Sequence, residues 1–355
     1  MARHLPGQLK AARIAWGGGT PSILGADGLA AVLQVLGEAF DLGDLDEHAI
    51  ELDPRYVDSA LARHLADIGI TRVSLGVQDL DDRVQHAIGR IQPEAVVAEA
   101  VGHLRAAGIE GLNIDLIYGL PYQTEASVRV TCRRIAALGP DRVACFGYAH
   151  LPQRKANQRL IDEAALPDTF ERFRQAAAVA EVFCGRGYQA IGLDHYARLC
   201  DKLAVASRQR RLRRNFQGYT DDDHRTLIGF GASAVSQLPD GFAQTTAPVA
   251  DYRRCIAEAR LPTARGIAVG PRTRQRAIII ERLMCDFRID LDEVGGIGRY
   301  DDVARRMRPY EDAGLATLSG STLRMTAKGR PFVRLIAALF DEARSDGETS
   351  FSRAI

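Results

Sequence analysis

Cysteine is scarce and scattered in this chain: six in 355 residues, at positions 132, 145, 184, 200, 255 and 285. The closest two stand thirteen positions apart. No Cys-x2-Cys or Cys-x3-Cys spacing exists, so no local thiolate clamp for zinc or an iron–sulfur cluster can be drawn. Isolated thiols of this kind read as residues of a reducing compartment. Long apolar runs are also lacking. None approaches the roughly 18 residues of a bilayer span, and Met1–Gly7 lacks the apolar stretch of a secretory leader. A cytoplasmic protein with no membrane partner is expected. Charge of one sign is absent too, with 46 basic against 45 acidic residues and a net charge of +1. That balance gives no general pull toward nucleic acid. The eight histidines contain no His-x3-His or His-Glu-x-x-His pair, no Gly-x-Ser-x-Gly elbow occurs, and the glycines near the N-terminus precede no Lys-Ser/Thr of a P-loop.

What is present is alternation. Short runs rich in Val, Ile and Leu at 12–16, 48–52, 72–77, 112–117, 142–148 and 188–193 predict strands. Such runs suit strands buried on both faces. Between them, helical periodicity covers about 26–39, 55–67, 93–107, 124–137 and 168–186. This order predicts a parallel sheet with helical crossovers, an α/β fold. Polar groups recur at the strand ends: Thr20, Glu51 and Asp53, Gln78, Asp115, and the Ala149-His150 pair. In parallel α/β sheets the C-terminal strand ends form the ligand site. Any one of these residues alone is equally well read as a helix cap or loop group. Beyond 195 the pattern changes. A helix near 272–286, a hairpin at 315–325 around Leu318-Ser-Gly-Ser-Thr322 and a last helix over 328–344 predict a small α-rich C-terminal domain. Domains of 1–240 and 241–355 are expected.

Three constellations carry possible chemistry. Gly17-Gly18-Gly19-Thr20-Pro21 ends the first strand and exposes bare backbone N–H groups, as a ligand cradle or as a tight turn. Glu51, Asp53 and Asp115 suit acid–base work, oxygen ligation of a metal, or acceptance from ligand ammonium and hydroxyl groups. The basic stretch 208–219, with its arginines and aromatics, suits a small polyanion or a solvated loop better than nucleic acid. His150 and His195 read as structural.

Trp16-Gly-Gly-Gly-Thr-Pro21, Glu51-Leu-Asp-Pro54, Arg72-Val-Ser-Leu-Gly-Val-Gln-Asp79, Asn113-Ile-Asp-Leu-Ile-Tyr-Gly-Leu-Pro121 and Tyr148-Ala-His-Leu-Pro152 occur in that order. Arg214-Asn-Phe-Gln-Gly-Tyr-Thr220, Gly231-Ala-Ser-Ala-Val-Ser236 and Met284-Cys-Asp-Phe-Arg288 follow. From about residue 8 onward this set resembles oxygen-independent coproporphyrinogen III oxidase, a radical S-adenosylmethionine family of heme synthesis.

The resemblance implies an incomplete (β/α)6 barrel with a C-terminal helical domain, here without the first strand and helix. It implies S-adenosylmethionine and a [4Fe–4S] cluster as cofactors, coproporphyrinogen III as substrate, and an electron donor as partner; a monomer is expected. The matching S-adenosylmethionine positions are Gly18, Gly19, Thr20, Glu51, Gln78, Arg90, Asp115, Ala149 and Val235. Arg214, Asn215 and Tyr219 are expected on the side of the substrate, which carries four carboxylates. The family's Cys-x3-Cys-x2-Cys segment precedes the part that matches here, and no metal ligand is assigned in this sequence. Two readings follow. In one, Met1 is internal to a longer chain that supplies the segment. In the other, the chain is a cluster-free relative that binds heme or porphyrin, or an inactive remnant.

Overall fold

The computed structural model describes residues 7–342 and divides into two compact units. The first runs through Ala190 and takes in Asp194–Asp201; the second comprises Ile191–Leu193 and the chain from Lys202 onward. The expected boundary at 240 falls inside the second unit, in the tight turn between two hydrogen-bonded strands, Val235–Leu238 and Gly241–Thr245.

The first unit is built on a seven-stranded sheet. Its strands are β1 (Arg13–Trp16), β2 (Glu47–Leu52), β3 (Arg72–Gln78), β4 (Gly111–Tyr118), β5 (Arg142–Gly147), β6 (Tyr188–Ile191) and β7 (His195–Arg198). The crossover helices are α1 (Gly25–Ala39), α2 (Ser59–Asp67), α3 (Glu94–Ala106), α4 (Glu125–Ala137) and α5 (Thr169–Gly185). β1 to β5 lie side by side in sequence order, and every neighbouring pair is parallel. The α/β expectation is therefore met, with one correction at the far edge. β6 does not adjoin β5. The link Gly192–Asp194 is too short for a crossover, so β7 turns back and pairs antiparallel with β5, setting Ala144 opposite His195.

β5 buries Arg142–Cys145 on both faces, but β2, β3 and β4 do not bury both. β3 buries Val73, Leu75 and Val77 and turns Arg72, Ser74, Gly76 and Gln78 the other way. β4 buries Leu112, Ile114 and Leu116 and turns Asn113 and Asp115 the other way. β2 follows suit with Ile50 and Leu52 against Glu47 and Glu51. A period of two forces this division. The apolar face packs on Leu65 of α2, Val97 and Leu104 of α3, Ile135 of α4 and Phe183 of α5. Helix entry is set by side-chain caps from Asp58, Thr124 and Asp168. The other face is polar. Near its N-terminal strand ends Arg72 Nε meets Glu47 at 2.7 Å and Arg142 Nε meets Asp201 at 2.8 Å.

Pro21–Ala39 does reach the length and apolarity of a membrane span, with 19 residues and a mean hydropathy of 1.3. It is the crossover between parallel neighbours β1 and β2.

The second unit holds more strand than an α-rich domain would. The basic stretch forms a hairpin, β8 (Arg213–Asn215) with β9 (Gly218–Thr220). A three-stranded antiparallel sheet follows: β10 (Val235–Leu238), β11 (Gly241–Thr245) and β12 (Thr263–Ala268). After α6 (Pro271–Asp286), a second sheet joins β13 (Arg288–Asp290), β14 (Ala316–Ser319) and β15 (Thr322–Met325). The expected hairpin is β14–β15. The expected last helix is an α-turn over Val333–Ala337 between two 3-10 stretches, and positions 343–344 lie outside the described residues. The core joins Ile279 and Leu283 of α6 to Met307, Leu323 and Phe340.

Tyr219 is pinned inside this unit. Its hydroxyl donates to the Met284 carbonyl at 3.0 Å and accepts from Leu193 N–H at 3.2 Å. Gly192, at φ 56°, lies so close that a Cβ there would stand 2.0 Å from the Tyr219 ring. Gly192→Ala is therefore expected to cost ~1–3 kcal/mol, as overpacking does. Urea unfolding followed by amide exchange over the second unit measures it; an unchanged midpoint would contradict the close approach.

Candidate functional site

The polar face of the first unit is organised around glycines. β1 stops at Gly17, and the chain continues with Gly18 at φ 82° and Gly19 at φ 154°, a conformation open to glycine. A Cβ on Gly17 would stand 2.8 Å from Glu51 Oε1, so the turn presses on that carboxylate. Gly18 N–H donates to Glu51 Oε2 at 3.3 Å. Partial desolvation and then the charge of Asp115 push the Glu51 carboxyl above its usual range, while the Gly18 N–H pulls the other way.

Asp115 stands on β4 inside a triangle of hydrogen bonds. Asn113 Nδ2 donates to Asp115 Oδ1 and to Ser74 Oγ, both at 2.7 Å, and Ser74 Oγ donates to Asp115 Oδ2 at 2.8 Å. Burial still raises its pKa, with the two donors and the charges of His195 and Arg90 opposing.

Gly76 is the second close approach. A Cβ there would lie 3.0 Å from Gln78 Nε2 and 3.2 Å from Arg90 Nη2. Arg90 follows the short helix Asp82–Ala87, donates to the Gly76 carbonyl at 2.8 Å and faces Asp53 at 3.5 Å. Its Nε is buried with no hydrogen-bond partner, a donor left for something else. Gln78 holds φ 72° at a β-bulge, strain of the kind that gathers at ligand sites. The next residue fixes it. The buried Asp79 carboxylate accepts from Thr131 Oγ1 and Asp81 N–H, each at 2.8 Å, and from Gln123 Nε2.

The structure thus gathers Gly17, Gly18, Glu51, Gln78, Arg90 and Asp115. Gly19 and Thr20 continue the exposed turn, and the Thr20 carbonyl accepts from Ile23 N–H. Ala149 follows the C-terminal end of β5, its carbonyl accepting from Gln158 Nε2 at 3.0 Å. Asp53 is engaged elsewhere: it caps the 3-10 turn Pro54–Tyr56 and pairs with Arg55 at 2.7 Å. His150 bonds Glu163 at 3.0 Å. Val235 lies on β10 of the second unit. There too Arg214 is exposed on β8, Asn215 Oδ1 accepts from Gln217 N–H in the hairpin turn, and Tyr219 has its hydroxyl taken up internally. Sequence reading missed Ser74, Gly76, Asp79 and His195 as site residues. The signal was the alternation Arg-x-Ser-x-Gly-x-Gln within β3, which marks one face.

The cysteines do not converge. Cys132, Cys145 and Cys285 are buried, and burial pushes the Cys132 and Cys285 thiols up to about 12. Among the described residues the grouping close enough for a metal is Asp222, Asp223 and His224, without a thiol.

Known proteins match this arrangement. The Radical SAM superfamily profile matches residues 2–135. Oxygen-independent coproporphyrinogen III oxidase of Bradyrhizobium diazoefficiens is 42% identical over 360 residues, covering 100% of this chain and 80% of that one. The Escherichia coli K12 enzyme of the same name is 37% identical over 332 residues, 92% of this chain and 73% of that one. A solved structure of coproporphyrinogen III oxidase from Escherichia coli, described as a radical SAM enzyme, superposes with a TM-score of 0.90 at 36% identity, over 94% of this chain and 79% of that one. The chain belongs to the oxygen-independent coproporphyrinogen III oxidase family. Family membership implies S-adenosylmethionine and a [4Fe–4S] cluster. The glycine cradle, the two carboxylates and the unpartnered Arg90 Nε fit the first. The six scattered cysteines do not fit the second.

The raised Asp115 pKa has a measurable consequence. Its folded value exceeds the ordinary ~3.9, so the folded state holds the proton more tightly and loses stability as pH climbs through the raised value. Asp115→Asn removes that loss. The variant is expected to be more stable than the parent at pH 7, with the difference vanishing below about pH 4. Urea unfolding across pH checks it; a variant less stable at pH 7 would contradict the assignment.

Proposed function

We propose that this chain serves the oxygen-independent oxidative decarboxylation of coproporphyrinogen III, with S-adenosylmethionine bound on the polar face of the first unit. The observation that carries this is the glycine turn pressed against Glu51 beside Asp115 and Arg90. S-adenosylmethionine, given one electron by the family's [4Fe–4S] cluster, would supply the deoxyadenosyl radical that takes hydrogen from a propionate; loss of carbon dioxide and of one further electron to an acceptor would leave a vinyl group. Two such rounds give protoporphyrinogen IX. The residues of this chain bind and orient. Gly18, Gly19 and Thr20 offer backbone and hydroxyl groups to the methionine end. Arg90 offers its free Nε to a carboxylate. Glu51 and Asp115 accept from polar N–H and O–H groups of the ligand, and Gln78 adds an amide. Ala149 supplies a contact to the nucleoside portion; in the second unit, Arg214 and Asn215 offer their side chains to the substrate's carboxylates. Tyr219 acts by holding their hairpin in place. None of these roles runs through an iron–sulfur cluster.

The same proposal takes the seven-stranded sheet as part of the family's incomplete (β/α)6 barrel. The consecutive parallel run β1–β5 supports it. Six free cysteines suit a cytoplasmic setting. An external electron donor and a monomeric state belong to the same proposal. The retained row Glu51, Gln78, Arg90 and Asp115 speaks for ligand chemistry over a remnant.

Equilibrium dialysis with S-adenosylmethionine tests the reading. The parent is expected to bind, and Glu51→Gln and Arg90→Ala each to weaken binding about tenfold, the effect of one charged hydrogen bond. Unchanged affinity in both variants, or no binding by the parent, would overturn the site.

A further inference from the structure

The antiparallel sheet of the second unit carries a patch that, Val235 apart, none of the assignments above uses. Its ladder sets Phe242 opposite Gln237 on one side and Ile267 on the other, and Gln244 opposite Val235 and Arg265. Directly opposed residues share a face. One face therefore carries Val235, Phe242, Ile267, Arg265 and two glutamines. The other carries the small Ser236, Ala243 and Gly266. The hairpin β8–β9 adds Phe216 from its tip, edge-on to Phe242 with ring centroids 5.5 Å apart at 79°. Phe216 is 55% exposed and Ile267 57% exposed. An aromatic ring and an isoleucine so open to water, with the half-buried Phe242 beside them, form a surface with a use. Arg265 stands at its border, exposed, its Nε donating to Gln244 Oε1 at 2.7 Å.

Apolar rings beside an oriented guanidinium match a ligand that joins flat heteroaromatic rings to carboxylates. We propose that this face binds the tetrapyrrole: pyrrole rings rest on Phe216, Phe242 and Ile267, and Arg265 takes one propionate. The inference rests on the functional reading above and adds substrate contacts to it. Arg265 is the orienting cation, because its hydrogen bond to Gln244 holds the guanidinium toward the patch. Ile267, on an edge strand exposed along its whole length, contributes contact area at no evident cost to the fold.

Coproporphyrin III, the oxidised and stable tetracarboxylate, is the probe, titrated by quenching of its fluorescence. The parent, Ile267→Thr and Arg265→Gln are compared, with S-adenosylmethionine dialysis as the check that each variant keeps its first unit. Arg265→Gln is expected to weaken coproporphyrin binding about tenfold, the loss of one charged hydrogen bond. That loss should disappear with an analogue whose propionates are amidated. Ile267→Thr should weaken both probes alike, by about fivefold. If the parent binds coproporphyrin and both variants match it, the patch is overturned and the functional reading stands. If the parent binds S-adenosylmethionine but no coproporphyrin, the reading and the patch fall together. If the chain self-associates in sedimentation and Ile267→Thr releases monomers, the face is a contact between copies, and the proposal is overturned.

Discussion

Ser74, Asn113 and Asp115 close a hydrogen-bonded triangle across two adjacent strands, and the site depends on it. A carboxylate among strands costs free energy unless its lone pairs are answered. Here neighbouring side chains answer them, from the same face of the sheet. That face exists because a strand's side chains alternate, so the helices take Val73, Leu75, Ile114 and Leu116 and leave the polar set behind. The first unit therefore has a dry layer that holds it together and a polar layer whose purpose lies outside stability. Glu51 and Asp115, both shifted toward the neutral form, show that the polar layer is held at some cost.

The glycines decide how near a ligand can come. A methyl group on Gly17 would stand 2.8 Å from the Glu51 carboxylate, and one on Gly76 would crowd Gln78 and Arg90 at 3.0 and 3.2 Å. Gln78 takes up a left-handed conformation that glycine normally fills, locked by the buried Asp79 behind it. These features gather at the strand ends where a parallel sheet presents ligands. They form one surface that offers carboxylates, a guanidinium and glycine backbone within a single unit. Such a mixture suits a zwitterionic nucleoside such as S-adenosylmethionine.

Much of this was legible in the sequence. Strands 12–16 and 72–77 and helices 124–137 and 168–186 lie within a residue or so of the observed elements, because short Val/Ile/Leu runs and helical periodicity leave little ambiguity. Glu51, Gln78 and Asp115 were legible as strand-end polar groups, and family resemblance added Arg90. Other features depend on pairing, which no local pattern encodes. β7 takes the place expected for β6 because a three-residue link forbids a crossover. The sheet β10–β12 went unseen because its strands are short, polar and spaced by glycine and proline. Tyr219 is expected on the substrate side because the substrate carries four carboxylates; the folded chain adds that its hydroxyl bonds Met284 and Leu193, which no local pattern encodes.

A crystal structure of this chain soaked with S-adenosylmethionine tests the central claim most directly. The account predicts the ligand at the C-terminal ends of β1 to β5, its methionine end on Gly18–Thr20, with Glu51, Arg90 and Asp115 within hydrogen-bond distance. A ligand seated elsewhere, with those three side chains still hydrogen-bonded only to the protein, would contradict it.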